Sequence, residues 1–324
     1  MMAEFRFDFA VKDKNLEPEN TSENANDKLE HIFGTNLVVE KVASSQKEDS
    51  VVKAQELIVD LPAVEDKINP DDIDVISVGN VKINYINSTG IEAEVKIEHL
   101  EHHDEDNKTD HFVTAVSNHY DLISGVYEGG LKVWECCLDL ANYLAHESTL
   151  WSKLDVLELG CGAGIPGVYL MVKGAVVHFQ DYNTEVLERL TVPNVIMNQQ
   201  VKKKDDEKKL GHTCRYFAGD WSDMTSVLMT NGIQNKYDVI LTSETIYNVN
   251  YYDRLHTLLQ ASLKPSGCVY VAAKTHYFGV GGGTRIFEDF VNKNGIFNIK
   301  SCWQNKDGLQ REILKLEFNR SIES

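Results

Sequence analysis

The sequence predicts an α/β sandwich around a mostly parallel, seven-stranded sheet that ends in an antiparallel hairpin. From residue 154 onward, five strand-like apolar runs alternate with helical patterns, which is typical of β/α units with a parallel sheet. The first run leads into three alternating glycines, Gly160, Gly162 and Gly164, and a helical pattern starts directly after them. Two β-rich runs joined by a glycine-containing turn follow the last helix.

The predicted elements follow one another in a regular order. Apolar residues at helical spacing mark a helix over 131–146, and Pro166 is tolerated in the first turn of a helix over 165–172. Pro265 and Gly267 end the helix over 251–263. Strands are expected at 154–159, 175–180, 213–218, 237–242 and 268–273, further helices at 184–200 and from Thr284, and the hairpin at 297–303 and 311–318.

The negative charge is concentrated before residue 111. The chain carries a net charge of −18, of which residues 1–110 contribute −15 (26 acidic, 11 basic) and residues 111–324 contribute −3 (24 acidic, 21 basic). A domain so close to neutrality does not favour binding nucleic acid through its net field. We therefore expect no direct sequence-specific binding to nucleic acid.

The first 110 residues are predicted to form an acidic, largely disordered segment before an α/β domain over 111–324. Residues 10–60 are polar and poor in aromatic side chains. Short runs at 73–78 and 81–86 alternate at period two, which predicts marginal strands within 61–100. We interpret the charged, histidine-bearing stretch 98–110 as a solvated linker rather than a metal site.

Composition favours a soluble intracellular protein. All six cysteines follow residue 135 without C-x-x-C spacing, so we expect buried, reduced thiols and no metal. The N-terminus lacks the hydrophobic region of a signal peptide, and no apolar run approaches about 18 residues. We expect a monomer in the cytoplasm and nucleus.

The glycine loop fits two kinds of cofactor site. Backbone without a Cβ can pass very close to a ligand at the carboxyl edge of a parallel sheet. Positions 162–167 match G-x-G-x-x-G, which indicates a dinucleotide phosphate at the following helix. Positions 158–164 match E-x-G-x-G-x-G, which resembles the first motif of S-adenosylmethionine-dependent methyltransferases, where Glu158 could attract the cationic ligand. The loop alone does not decide between them.

Two further strand ends carry polar side chains. Asp181 ends the second strand, where its carboxylate could accept from both ribose hydroxyls of either cofactor. Asp220 and Trp221 follow the third strand and offer an acceptor for an adenine amino group and a stacking face. The chain then ends in a hairpin rather than a second set of parallel β/α units. The methyl donor is therefore favoured over NAD.

Six ordered segments carry a family resemblance. They are 118–135 (NHYDLISGVYEGGLKVWE), 157–164 (LELGCGAG), 178–183 (HFQDYN), 190–194 (LTVPN), 242–248 (TSETIYN) and 274–283 (KTHYFGVGGG), with a short echo at 5–9 (FRFDF). Together they resemble the eukaryotic protein-histidine N-methyltransferases, class I enzymes with a Rossmann-like seven-stranded sheet, that act on large-subunit ribosomal protein L-three. The resemblance covers roughly 111–324.

The resemblance implies which residues surround S-adenosyl-L-methionine. These are Val133, Trp134, Glu135, Cys136, Cys137, Gly160, Asp181, Tyr182, Asn183, Gly219, Asp220, Trp221 and Ser243, to which the glycine-loop motif adds Glu158, Gly162 and Gly164. Trp134 and Glu135 are expected on a helix just before the first strand. There they could close the methionine end of the pocket.

The end of the fourth strand is the candidate acceptor site. The resemblance implies methyl transfer to an imidazole nitrogen of a ribosomal protein, with an effect on ribosome assembly or translation. Glu244 is our hypothesis for the carboxylate that accepts the other ring N–H and fixes the tautomer, while Tyr247 and Asn248 position the ring. His276 and Tyr277 are further candidates for substrate contact, beside the glycine-rich stretch that follows the fifth strand.

Three alternatives stay open. Protein-lysine methyltransferases share the scaffold but carry D-x-x-Y where this chain has a glutamate at 244 and a tyrosine at 247, so a lysine target is less well supported. A non-catalytic binding module is disfavoured by the acidic residues Glu158, Asp181 and Glu244 in the expected pocket. An NAD-dependent oxidoreductase is disfavoured by the terminal hairpin.

Overall fold

The computed structural model describes residues 52–101, 111–118, 120–199 and 214–320. Most of the stretch predicted to be disordered lies outside these residues, as does most of the predicted linker. Within the described parts, no helix is both long enough and apolar enough to cross a membrane.

One sheet of eight strands organises the described residues. In chain order the strands of the structure are β1 (Gln55–Leu57), β2 (Ile73–Val78), β3 (Val81–Ile86), β4 (Asp155–Leu159), β5 (Val176–Asp181), β6 (Arg215–Ala218), β7 (Tyr237–Ser243), β8 (Leu263–Lys274), β9 (Phe297–Gln304) and β10 (Arg311–Phe318). The large sheet has the order β1-β6-β5-β4-β7-β8-β10-β9, and β2 pairs with β3 in a separate hairpin. Strands β4 to β8 run parallel, whereas β10 is antiparallel to β8 and β9.

Helices cover both faces of this sheet. They are α1 (Leu61–Glu65), α2 (Ser88–Glu101), α3 (His111–Ser117), α4 (Glu135–His146), α5 (Ile165–Val172), α6 (Thr184–Val186), α7 (Val192–Asn198), α8 (Trp221–Thr230), α9 (Tyr252–Ser262) and α10 (Thr284–Asn294). Successive strand residues point to opposite faces, so Val156 joins the buried cluster under α4, α5 and α7, while Leu157 joins the one under α8, α9 and α10. Burial on both faces explains why apolar residues predominate in the parallel strands.

The predicted fold class is confirmed, with three differences in its elements. Strand β1 adds an eighth, antiparallel edge beside β6. Helix α4 begins at Glu135 rather than residue 131, because Trp134 has an extended backbone and caps it. Strand β8 begins at Leu263 rather than residue 268, because its pairing with β7 shifts register between Leu263 and Cys268. A bulge tolerates Pro265, which a regular central strand would not.

The N-terminal hairpin is part of the same core as the α/β layers. Strands β2 and β3 pair over six positions. Val78 and Ile83 are fully buried in the cluster that also contains Leu140 of α4. The boundary predicted at residue 110 therefore separates residues that share one core. The hairpin's apolar residues are too few to form a core alone, and they become buried only against α4, α5 and α7.

Asn194 links this hairpin to the glycine loop. Its fully buried side chain accepts from Ile86 N at 2.8 Å and donates from Nδ2 to Ala163 O at 2.9 Å. A single side chain therefore satisfies one backbone group on β3 and one in the loop after β4.

Asn194→Ala is expected to lower the free energy of unfolding by about 2–5 kcal/mol, because it leaves two buried backbone groups without partners. Denaturant titration measures the change. Asn142→Ala is the matched control, since Asn142 is exposed and bonds only within α4, to Leu138 O. Equal losses from the two substitutions would show that Asn194 does not link the hairpin to the loop.

Candidate functional site

A cavity with about 810 Å³ of empty space, part of it open to solvent, lies at the carboxyl edge of the parallel strands. Its walls come from positions 128–130 and 132–134, the glycine loop at 160–163, and the residues that follow β5, β6 and β7. From β4 the chain forms β5 and β6 on one side of the sheet and then crosses over to β7 on the other side of β4, which makes this edge a topological switch point. Such a point is where open α/β sheets bind ligands.

Most of the predicted site residues come together around this cavity. Those that line it are Val133, Trp134, Cys137, Gly160, Gly162, Asp181, Tyr182, Gly219, Asp220, Trp221, Ser243, Glu244 and Tyr247. These residues are far apart in sequence, and the shared edge of the sheet brings them to one place.

Six predicted residues lie behind or beside the cavity instead. Cys136 is buried in α4, and Glu135 forms an ion pair with Lys274. Gly164 caps α5 in a left-handed conformation. Asn183 donates to Val126 O at 2.8 Å, and Asn248 accepts from Asn250 N at 3.0 Å. These residues shape the segments around the cavity rather than its surface.

Glu158 is the sixth, and its position differs most from the prediction. Its carboxyl is 1% exposed and accepts from Gly167 N at 2.8 Å, at the start of α5. Burial raises the pKa of this carboxyl to about 8. A carboxyl that is mostly neutral at pH 7 and lies behind the loop does not offer the predicted attraction to a cationic ligand. The position of the Glu158 carboxyl also explains why residue 167 is a glycine, because a Cβ there would collide with this carboxyl.

The glycine loop packs tightly against the opposite wall. Gly162 has a φ of +50°, and a Cβ built on it would lie 2.8 Å from Gly130 O. The same residue donates its N–H to Asp181 Oδ2 at 2.9 Å. Glycine is therefore required here for both backbone conformation and space.

Asp181 connects the end of β5 to this loop. Besides Gly162, its carboxylate accepts from Asn183 N at 3.3 Å. Burial raises the pKa of Asp181 to about 6, so the side chain is largely ionised at pH 7. A carboxylate offers about four acceptor positions, which leaves capacity for ligand hydroxyls. Its role toward ribose stays a prediction, and the geometry is compatible with it.

The end of β6 is covered by the start of the described chain. Asp220 caps α8 by accepting from Ser222 N at 2.8 Å, and its other oxygen accepts from Arg254 at 2.8 Å. Trp221 Nε1 donates to Gln180 Oε1 at 2.8 Å, which fixes the indole at the cavity wall. Gly219 has a φ of +110°, and a Cβ there would lie 2.6 Å from Ala54 Cα.

Glu244 occupies an unusual position after β7. It has a φ of +59°, a left-handed conformation that is unfavourable for a residue with a side chain and often occurs at functional sites. Its Oε2 accepts from Tyr277 OH, and its Oε1 lies 3.5 Å from Nζ of Lys274. Lys274 is itself 2% exposed and lies 3.4 Å from Glu135. Glu244 thus lines the cavity as one half of a buried ion pair.

Glu128 is a cavity residue that the sequence analysis missed. Its Oε2 accepts from Tyr247 OH, and its Oε1 accepts from Tyr251 OH at 3.2 Å and Gly125 N at 2.6 Å. Burial raises the pKa of Glu128 to about 7. The residue lies within the segment 118–135 but follows no strand, so inspection of strand ends could not find it. Lys132, Gln180, Thr245 and Arg254 are further lining residues that were missed.

The glycine-rich stretch 279–283 folds against the acceptor side. Gly282 N donates to Tyr247 O at 2.9 Å, and Asn248 forms an isolated bridge with Gly281. Phe278 beside it is 76% exposed, with its ring centroid 4.7 Å from that of His276. The described residues contain no group of three or more histidine, cysteine or acidic side chains arranged for a metal.

Gly162→Ala is expected to weaken S-adenosylmethionine binding by about tenfold or more, equivalent to about 1.4 kcal/mol, because the added Cβ displaces the wall at Gly130. Isothermal titration calorimetry measures the change. Gly232→Ala is the control, because Gly232 has a φ of +70° with open space around it. That control should lose about 1–2 kcal/mol of stability from its backbone but keep its donor affinity. Equal loss of affinity in both variants would contradict the close approach.

The sequence is similar to those of known methyltransferases. The sequence matches the family model described as "Lysine methyltransferase" over residues 120–284, about half of the chain. It is 42% identical over 220 residues to "Histidine protein methyltransferase 1 homolog" from Bos taurus, covering 63% of this chain and 59% of the relative's length. It is 30% identical over 247 residues to "Histidine protein methyltransferase 1" from Schizosaccharomyces pombe, covering 65% of this chain and 72% of that relative.

A solved structure from Streptococcus mutans, "A putative sam-dependent methyltransferase", aligns with a TM-score of 0.48 at 12% identity, covering 77% of this chain and 56% of that one. The family membership rests on the match to the family model and on the S. pombe relative alone. On these two findings, the chain belongs to the methyltransferase family described as "Lysine methyltransferase" and is related within it to the histidine protein methyltransferase 1 proteins.

Proposed function

We propose that the protein is an S-adenosylmethionine-dependent protein-histidine N-methyltransferase. The observation that carries the proposal is the single cavity in which the ends of β4, β5 and β6 meet the acceptor-side residues Glu244 and Tyr247. The names of the related proteins support histidine as the acceptor. The chain spans 59% of the length of the bovine relative that it matches.

The donor half of the cavity suits a nucleoside. Asp181 would accept from the ribose hydroxyls, and the fixed indole of Trp221 would stack on the adenine. The backbone at Gly160 and Gly162 would let the ligand approach closely. When bound, S-adenosylmethionine supplies a methyl group activated by a sulfonium.

The acceptor half must hold an imidazole in line with that methyl group. A histidine with a pKa near 6.5 is mostly neutral at pH 7 and offers a lone pair without prior deprotonation. The main work of the protein is therefore to choose the tautomer and position the ring, which can supply a large share of the rate enhancement. Tyr247, fixed by its hydrogen bond to Glu128, is proposed to form one wall for the ring.

The proposed substrate is a histidine of a large-subunit ribosomal protein, and methylation is proposed to affect ribosome assembly or translation. The resemblance of the sequence segments supports this choice. Ribosomal proteins are basic, and the net charge of −18 would favour their encounter with this chain. We propose that the enzyme acts as a monomer in the cytoplasm and nucleus.

Incubation with isotopically labelled donor and large-subunit ribosomal proteins is expected to label one histidine, identified by mass spectrometry. Replacing that histidine by glutamine in the substrate should abolish labelling. Label on a lysine would overturn the proposal in favour of a lysine methyltransferase, which the description of the family model favours. Donor binding without any transfer would favour a non-catalytic module.

Asp181→Asn is expected to weaken donor binding by about 10- to 100-fold, since hydrogen bonds to charged groups contribute about 1.5–3 kcal/mol and an amide has only one acceptor oxygen. The dissociation constant for S-adenosylmethionine is the measurement. Asp223→Asn, at an exposed position on α8, is the control and should bind the donor normally. Unchanged affinity in Asp181→Asn would remove Asp181 from the donor site.

A further inference from the structure

Glu128 lies on a loop at the cavity wall that contacts residues following β5 on the donor side and residues following β7 on the acceptor side. On the donor side, Asn183 accepts from Glu128 N at 3.3 Å, and Tyr182 OH donates to Gly125 O at 3.0 Å. On the acceptor side, the carboxylate receives the hydroxyls of Tyr247 and Tyr251. The carboxylate is therefore held in one place from both sides while it lines the cavity.

The two carboxylates on the acceptor side have different neighbours. Glu244 Oε1 forms an ion pair with the buried side chain of Lys274, whose Nζ lies 3.5 Å away. Among the described residues, the hydrogen-bond donors to the carboxylate of Glu128 are neutral: two tyrosine hydroxyls and the N–H of Gly125. A carboxylate with neutral donors can gain and lose a proton more readily than one in a buried ion pair.

The negative charges that face Glu128 also favour proton uptake by its carboxylate. Burial is the largest cause that raises its pKa to about 7, and the negative charges of Asp181 and Asp220 add to it. The lining cations Lys132 and Arg254 are engaged by Asp121 at 3.0 Å and Asp220 at 2.8 Å. The hydroxyl of Tyr182 also belongs to this environment; burial raises its pKa, and the charge of Glu128 adds to that rise.

Methyl transfer to a neutral imidazole creates a group that needs such an acceptor. The lone pair of one ring nitrogen forms the N–CH₃ bond while the C–S bond breaks, and its electron pair stays on sulfur as a neutral thioether. The positive charge passes to the imidazole ring, which becomes an imidazolium. The other ring nitrogen then releases its proton, so that the product is a neutral methylhistidine.

We propose that Glu128 is the carboxylate that accepts the hydrogen bond of the second ring N–H and then takes its proton. The inference rests on the proposed function and extends it to the proton transfer. Its oxygens accept hydrogen bonds from Gly125, Tyr247 and Tyr251 and retain capacity for a fourth donor. Tyr247 and Tyr251 are positioning residues that orient the carboxylate.

The acidities of the two groups match this step. An imidazolium has a pKa of about 6.5, close to that of Glu128, so the transfer needs little driving force in either direction. General bases work best when their pKa lies near the working pH. The proton can pass from Glu128 to solvent because the cavity is partly open.

Glu128→Gln is expected to lower kcat by about 100-fold, because the carboxylate accepts the ring N–H while positive charge develops on the imidazole in the transition state, and such general-base assistance typically contributes about 10²- to 10⁴-fold. Wild-type kcat should fall as the pH drops through about 7, where Glu128 becomes protonated, and the variant's kcat should show no such fall. The dependence is read from kcat because kcat/KM also reports the free substrate histidine. Donor affinity and thermal midpoint should stay at wild-type values, as for the exposed control Glu65→Gln.

Three outcomes would overturn the proposal. One is wild-type kcat in Glu128→Gln. Another is loss of the pH-dependent fall in Glu244→Gln instead, which would restore the role predicted for Glu244. The third is an equal loss of kcat in Tyr251→Phe, with the same absence of pH dependence in kcat. That result would show that the hydrogen bonds of Glu128 only hold the loop in place. Label on a lysine in the wild-type reaction would instead disprove the proposed function, so the two failures are distinguishable.

Discussion

The hydrogen bond from Gly162 N to Asp181 Oδ2 is the constraint on which the rest of the site depends. It joins the loop after β4 to the end of β5, and both residues line the cavity. Glycine at 162 permits the approach, and Gly130 O occupies the remaining space on the other side. The buried carboxylate, the loop and the opposite wall therefore constrain one another, and a change in any of them alters the cavity.

How much of the site could be predicted depended on where each residue lies. Parallel strands end at one edge, so Asp181, Asp220 and Glu244 could be placed together from sequence alone. The strand-end rule could not show which way a side chain points. Glu158 matches the motif but faces Gly167 behind the loop, whereas Glu128 follows no strand and yet reaches the cavity through contacts with residues more than 100 positions away.

The N-terminal part shows a different reason for an incomplete prediction. The period-two pattern correctly gave strands β2 and β3, but it carries no information about their packing partners. Asn194 and Asn198, which accept from the backbone of β3, are ordinary polar residues in a helical pattern. Upstream of the hairpin, Val52 O accepts from Asp220 N, so residues before β1 also cover the end of β6. Long-range contacts make this segment part of the cavity's support.

The two carboxylates on the acceptor side, Glu128 and Glu244, have different neighbours and therefore suit different roles. Glu244 is held by its ion pair with Lys274 and by a backbone in a left-handed conformation, which suits a fixed role in shaping the site. Glu128 has neutral donors and a pKa raised to about 7, which suits a group that changes charge during turnover. The sulfonium's positive charge passes to the acceptor ring during methyl transfer. One carboxylate fixed in an ion pair and one that can take the proton together match both stages of the transfer.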